Sequence, residues 1–184
     1  MSKFSFIWQY ITNPRTTGAV APSSKFLGAK MMHGIDFNAA DCIVEYGPGT
    51  GVFTREILKN RKPSTLVLIF EMNPQFCDIL QAEFSGIENF HIINDSAAKV
   101  GEYLATFGKK KACYVVSGLP FASLPTEIAE NILAETKKHL KTGGAFITFQ
   151  YTLLKKAFLL QYFKDIKITR EFRNLPPAYV FFCL

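Results

Sequence analysis

At 184 residues, with 48% hydrophobic and 20% charged side chains, the chain has the composition of a globular protein and enough length for one substantial core. No run of about 18 uninterrupted apolar residues occurs, which excludes a spanning helix, and Cys42, Cys77, Cys113, Cys183, His33, His91 and His139 are too scattered for a metal site or a disulfide framework. The formal net charge of +6 calls for an anionic partner without separating nucleic acid from an anionic membrane.

The first residues, Met1 to Trp8, lack an apolar signal region and a small-residue cleavage site, so export is not expected. Phe4, Ile7, Trp8 and Ile11 recur at helical spacing until Asn13-Pro14 stops the pattern. A short aromatic amphipathic helix of this kind suits a membrane interface, or a lid packed on the domain. Arg15-Thr16-Thr17-Gly18-Ala19-Val20 then supplies turn residues before a capped helix that starts after Ser23-Ser24. Residues 1–34 are therefore expected to form a helical lid or membrane-contacting segment, and 42–184 the core of a single domain.

From residue 42 apolar runs and helical periodicities alternate. Strand Cys42–Tyr46 leads through Gly47-Pro48-Gly49-Thr50-Gly51 to helix Val52–Lys59, and strand Leu66–Phe70 ends at Glu71. Helix Pro74–Phe84 presents Phe76, Ile79, Leu80 and Phe84 on one face. Strand Phe90–Ile93 precedes a helix carrying Val100, Tyr103, Leu104 and Phe107. Strand Ala112–Val116 runs through Ser117–Pro125 into helix Thr126–Leu140, which Gly143-Gly144 is expected to close. Strand Ala145–Tyr151, a helical segment Leu153–Phe163, and strands Ile166–Phe172 and Tyr179–Leu184 follow. The short Asn174-Leu175-Pro176-Pro177 turn permits only an antiparallel hairpin. The expected fold is α/β: a parallel sheet with an antiparallel terminal hairpin and helices on both faces.

A Gly-rich turn between a strand and a helix lets a ligand lie against backbone, and an acid closing the next strand can accept from ribose hydroxyls. A dinucleotide fingerprint would need glycine at position 52, which is Val52. The observed E-x-G-x-G-x-G, from Glu45 to Gly51, resembles motif I of the class I S-adenosylmethionine (SAM) methyltransferases. That resemblance implies that Glu45, Gly47, Pro48, Gly49, Thr50 and Gly51 cradle SAM, later released as S-adenosylhomocysteine. It also implies that Glu71 holds the ribose, and that Met72, Asp95 and Ser96 serve the adenine, although Ser96 and Asp95 also suit a helix N-cap. Thr17 and Gly18 would fold over the cofactor.

Ser117-Gly118-Leu119-Pro120-Phe121 is similar to the N-L-P-Y motif of adenine N6-methyltransferases, but Gly118 stands where their Asn accepts from the target amine. Ser117 and backbone carbonyls remain as acceptors beside the cofactor, and Phe121 could offer a ring face to a developing ammonium. Together with Asn13–Ser23 and Asn174–Ala178, these motifs resemble the bacterial phospholipid N-methyltransferases over nearly the whole chain. They also resemble the rRNA adenine dimethyltransferases, with a departure at Gly118 and no residues for the C-terminal helical domain that those enzymes use on RNA. The resemblance implies SAM-dependent N-methylation of a phosphatidylethanolamine-type headgroup by a cytoplasmic protein peripheral on the inner membrane face. Catalysis would fall to Ser117–Phe121, with Arg15, Tyr151 and Arg173 toward the acceptor. The alternatives are adenine N6-methylation of nucleic acid and a catalytically silent SAM-binding module.

Overall fold

The computed structural model describes residues 23–184, so the amphipathic Phe4–Ile11 stretch and Arg15, Thr17 and Gly18 lie outside the described residues. Helix α1, Lys25–Met32, opens where Ser24 Oγ accepts the Leu27 N–H at 3.2 Å, the N-cap that the serine pair implies. Strand β1 (Cys42–Tyr46), helix α2 (Val52–Asn60), strand β2 (Leu66–Phe70), helix α3 (Pro74–Phe84) and strand β3 (Phe90–Ile93) follow in the anticipated alternation. A short 3₁₀ turn leads into α4 (Val100–Thr106), followed by β4 (Ala112–Ser117), α5 (Thr126–His139), β5 (Leu140–Gln150), the single turn α6 (Lys156–Leu159), β6 (Ile166–Glu171) and β7 (Ala178–Cys183).

The strands form one sheet in the order β3-β2-β1-β4-β5-β7-β6. Strands β1 to β5 are parallel, and β7 enters antiparallel between β5 and β6. Every residue of β1 and β2 is buried, as expected of central parallel strands covered on both faces. One face packs Tyr46, Phe70, Phe121, Phe146 and Phe181 against α4 and α5, and the other packs Ile43, Ile69, Ile147 and Val180 against α1 to α3. The polarity of the sheet brings the ends of β1, β2, β3, β4 and β5, and the β6–β7 turn, to a single edge. Cys42, Cys113 and Cys183 are buried free thiols on the strands.

Two expectations need correction. Gly143-Gly144 does not close α5: the chain enters the sheet at once, with Leu140 paired to Ala112 and the register shifting before Tyr114 pairs with Ala145. Gly144 is needed at that irregularity, because a Cβ there would fall 2.2 Å from Cys113 O. The segment Leu153–Phe163 is helical only over α6. Beyond it the chain tightens, with Gln161 N–H bonded to Phe158 O and Tyr162 N–H to Leu159 O, each three residues back.

Candidate active site

The Gly47–Gly51 loop leaves β1 at the ligand-facing edge and turns into α2. Gly47 N–H donates to Phe70 O at 2.9 Å, which ties the loop to the end of β2. Gly47 has φ +62°, and a Cβ on it would sit 2.8 Å from Leu119 Cδ2. Only glycine meets both conditions. The loop therefore lies directly against the turn that follows β4.

Glu71 is 3% exposed at the end of β2. Its Oε1 accepts Asn73 N–H at 2.8 Å and its Oε2 accepts Gly49 N–H at 3.3 Å, so the acid reaches across to the glycine loop. Burial raises its pKa against the opposing backbone N–H groups of Asn73, Gly49 and Met72. Glu45 is fully buried on β1. Thr54 Oγ1 donates to its Oε2 at 2.7 Å, while its Oε1 has no hydrogen-bond partner among the described residues. Burial pushes the Glu45 pKa up to about 8; the Thr54 hydrogen bond opposes this and the Glu71 charge adds to it.

Asp95 lies just past β3. Its Oδ1 accepts Ser96 N–H at 2.7 Å, and its Oδ2 accepts Lys99 Nζ and Tyr103 O–H, each at 2.9 Å. Burial pushes its pKa up, but these donors outweigh burial and the net shift is downward. Ser96 is the N-cap of the 3₁₀ turn, its Oγ accepting Ala98 N–H at 3.3 Å. Met72 is half-buried between Glu71 and the start of α3.

The turn after β4 is drawn in tightly. Gly118 N–H donates to Tyr46 O at 2.8 Å, and a Cβ on Gly118 would fall 2.5 Å from Gly47 O. Ser117 is buried and its Oγ accepts Leu119 N–H at 3.2 Å. Leu119 O accepts Phe121 N–H, and Pro120 O accepts both Ser123 and Leu124 N–H. Phe121 departs from expectation: it is wholly buried, edge-on to Phe146 with ring centroids 5.8 Å apart, and turns no face to an acceptor. Its apolar ring is used to close the core beneath the turn.

Two polar side chains beside this turn escaped the sequence reading. Thr148 pairs in register with Ser117 across β4–β5, and Gln150 lies two residues further on the same face. Both are at least 96% buried, yet Thr148 Oγ1 and Gln150 Nε2 have no hydrogen-bond partner among the described residues. Inside the run Phe146–Tyr151 they looked like strand filler; the signal available was a polar residue at alternate positions of a strand otherwise apolar. Tyr151 is half-buried and edge-on to Phe149, with the Asn174 side chain beside its O–H. The Arg173 guanidinium pairs with Glu171, Nε to Oε1 at 2.9 Å, and stacks over Phe26 at 4.2 Å. Glu171 is held down to about 2 by that hydrogen bond.

The arrangement suits a cationic adenosyl cofactor. A buried carboxylate oxygen without a partner, a glycine cradle that a Cβ would fill, and an acid at the next strand end all face one edge. Comparison with known proteins agrees. The ribosomal RNA adenine dimethylase family matches residues 2–160. The chain belongs to that family. An ornithine lipid N-methyltransferase of Singulisphaera acidiphila is 30% identical over 182 residues, covering 98% of this chain and 94% of that protein. A ribosomal RNA small subunit methyltransferase A of Clostridium botulinum is 30% identical over 105 residues, covering 57% of this chain. The chain spans only 36% of that enzyme's length. Human methyltransferase-like protein 13, solved in complex with SAH, shares the fold at a TM-score of 0.63, with 16% identity over 85% of this chain and 78% of that one. The protein is a SAM-dependent methyltransferase with the class I fold, as the glycine loop and strand order anticipated.

Proposed function

We propose that this methyltransferase acts on the primary amine of a lipid headgroup. The observation that carries the reading is the crowding at Gly118: with Gly47 O 2.5 Å from the place of a Cβ, the turn has no room for the Asn side chain that adenine-directed relatives use at this position. The match to the ornithine lipid enzyme covers 94% of that protein, against 36% to 64% of the ribosomal RNA enzymes that this chain matches, and this supports the same choice.

When bound, SAM supplies a methyl group on a sulfonium, open to in-line attack by an amine lone pair. Glu71 would hold the ribose, Glu45 and the Gly47–Gly51 loop the methionine end, and Asp95 and Met72 the adenine. Ser117, Thr148 and Gln150 would bracket the amine. The unpartnered Thr148 Oγ1 and the Ser117 Oγ can accept the hydrogens that a neutral amine presents, while the unpartnered Gln150 Nε2 is left to donate to a headgroup oxygen, and orientation by this trio would supply most of the rate. A headgroup ammonium, like Lys, has a pKa of roughly 10, so the enzyme would draw on the small neutral fraction at pH 7. Turnover should then rise from pH 7 to 9.

The test offers methyl-labelled SAM with phosphatidylethanolamine vesicles, ornithine lipid vesicles and unmethylated ribosomal RNA in parallel. Label is expected in the lipid phase. Label confined to RNA would overturn the reading, and tight SAM binding with no turnover on any acceptor would point to a silent binding module.

A further inference from the structure

Six large apolar side chains stand exposed among the described residues, and four of them crowd one edge of the sheet: Leu153 at 48%, Leu154 at 85%, Phe172 at 68% and Leu175 at 81%. The register explains why they gather. Gln150 at the end of β5 pairs with Tyr179 at the start of β7, and Ala178 pairs with Glu171 at the end of β6. Three adjacent strands thus finish level, within about 10 Å at the usual strand spacing. The loop after β5 and the β6–β7 turn leave from there, at the same edge as the Gly47–Gly51 loop and the Ser117–Phe121 turn.

Cations border these apolar tips. Arg170 lies over Phe172 and Tyr179 at 4.8 and 5.0 Å from the ring centroids, Arg173 over Phe26 at 4.2 Å, and Lys155 over Phe158 at 4.9 Å. Neither 151–160 nor 172–179 contains an acidic residue, and the neighbouring Glu171 is buried in its ion pair with Arg173, leaving Arg170 and Lys155 as uncompensated cations of this edge among the described residues. Exposed leucine and phenylalanine tips with cations set just behind them match the layering of a bilayer surface, where apolar groups enter the acyl boundary and basic groups meet anionic headgroups. Nucleic acid offers no apolar layer to receive Leu154 or Leu175. A second copy would set like charges against each other.

We infer that the β6–β7 turn and the loop after β5 form a docking surface for an anionic lipid bilayer, which aims the Ser117 turn at headgroups in the membrane plane. The inference rests on the lipid-amine reading for its choice of acceptor. It differs from the anticipated anchoring by residues 4–11 in assigning the contact to the C-terminal hairpin.

The experiment uses the full chain with SAM present, vesicles of phosphatidylethanolamine and phosphatidylglycerol, and two variants. One is Phe172→Ser combined with Leu175→Ser. The other is Ile79→Ser, which removes an exposed apolar side chain on α3 and controls for surface hydrophobicity in general. The hairpin double variant should partition to vesicles at least tenfold more weakly while keeping wild-type SAM affinity and thermal midpoint, with Ile79→Ser unchanged. Its methylation of a dispersed short-chain phosphatidylethanolamine should match wild type, while its methylation of vesicles drops. Equal vesicle binding by wild type and double variant would overturn the docking surface. So would loss of a wild-type dimer in the double variant with vesicle binding intact, which would mark a self-association face instead. Should wild type bind vesicles through the hairpin yet methylate neither vesicle nor dispersed lipid, the docking surface stands and the acceptor reading falls.

Discussion

Two glycines, each just past the end of a different strand, bring the loop after β1 and the turn after β4 into contact. Gly118 has no room for a Cβ against the backbone Gly47 O, and Gly47 holds a φ of +62°, so the glycine loop and the turn after β4 can meet this closely only while position 118 lacks a side chain. This close approach brings the cofactor loop and the proposed amine site onto common ground. Gly118→Ala is predicted to force the two loops apart, costing about 1–3 kcal/mol as an overpacked contact and weakening SAM binding measured by calorimetry. Unchanged stability and affinity would show that the turn yields freely. The same crowding makes Gly118→Asn a poor route to adenine methylation, although it restores the Asn of the N-L-P-Y motif.

At the scale of elements, Asn174 explains why the sequence around the hairpin turn is so particular. It is 2% exposed, its Oδ1 accepts Ser24 N–H at 2.9 Å, and its Nδ2 donates to Pro176 O at 2.8 Å. One amide thus fixes the shape of the β6–β7 turn and the entry to α1, 150 residues away in the chain. Asn174→Ala should leave the part-buried Ser24 N–H and Pro176 O without this partner, costing about 1–3 kcal/mol for the two hydrogen bonds, read as a lowered thermal midpoint; Asn174→Asp, which keeps the acceptor for Ser24 but sets a carboxylate oxygen against Pro176 O, should cost at least as much. Neither pairing was legible in the sequence, because a side chain bridging distant turns leaves no periodic trace. Alternation and helical spacing did mark β1 to β4 and the helices between them, since buried parallel strands read as continuous apolar runs. They failed at Gly143-Gly144, where glycines serve a strand-to-strand close approach and not a helix end. They failed again at Leu153–Phe163, whose apolar residues divide between the core and the exposed edge. Glu45 and Glu71 stood out in the sequence by their spacing from the glycine loop, whereas Thr148 and Gln150 emerge only when β5 is set beside β4.

The whole molecule carries a net charge of +6, yet two buried acids stand at the ends of neighbouring central strands where a cationic cofactor is to bind. Burial holds Glu45 protonated to about pH 8, with Glu71 adding to the shift. An unfolded glutamate ionises near 4.5, so between that value and 8 the unfolded chain binds fewer protons at this position than the folded one. Glu45 should therefore reduce the stability of the ligand-free protein progressively as pH rises through this window, and leave it unaffected below. SAM brings a sulfonium and an ammonium, and its charge favours ionised Glu45, so binding should expel a proton at neutral pH. Affinity is then predicted to rise with pH by up to about tenfold per unit until near 8, where it levels off. Calorimetric titration in two buffers of different ionisation heat measures the released proton directly, and thermal unfolding from pH 5 to 9 measures the stability slope. Glu45→Gln should flatten both together, because a single titration feeds both. A slope that survives in Glu45→Gln would assign the proton to another group, with Glu71, raised by its own burial, the next to replace.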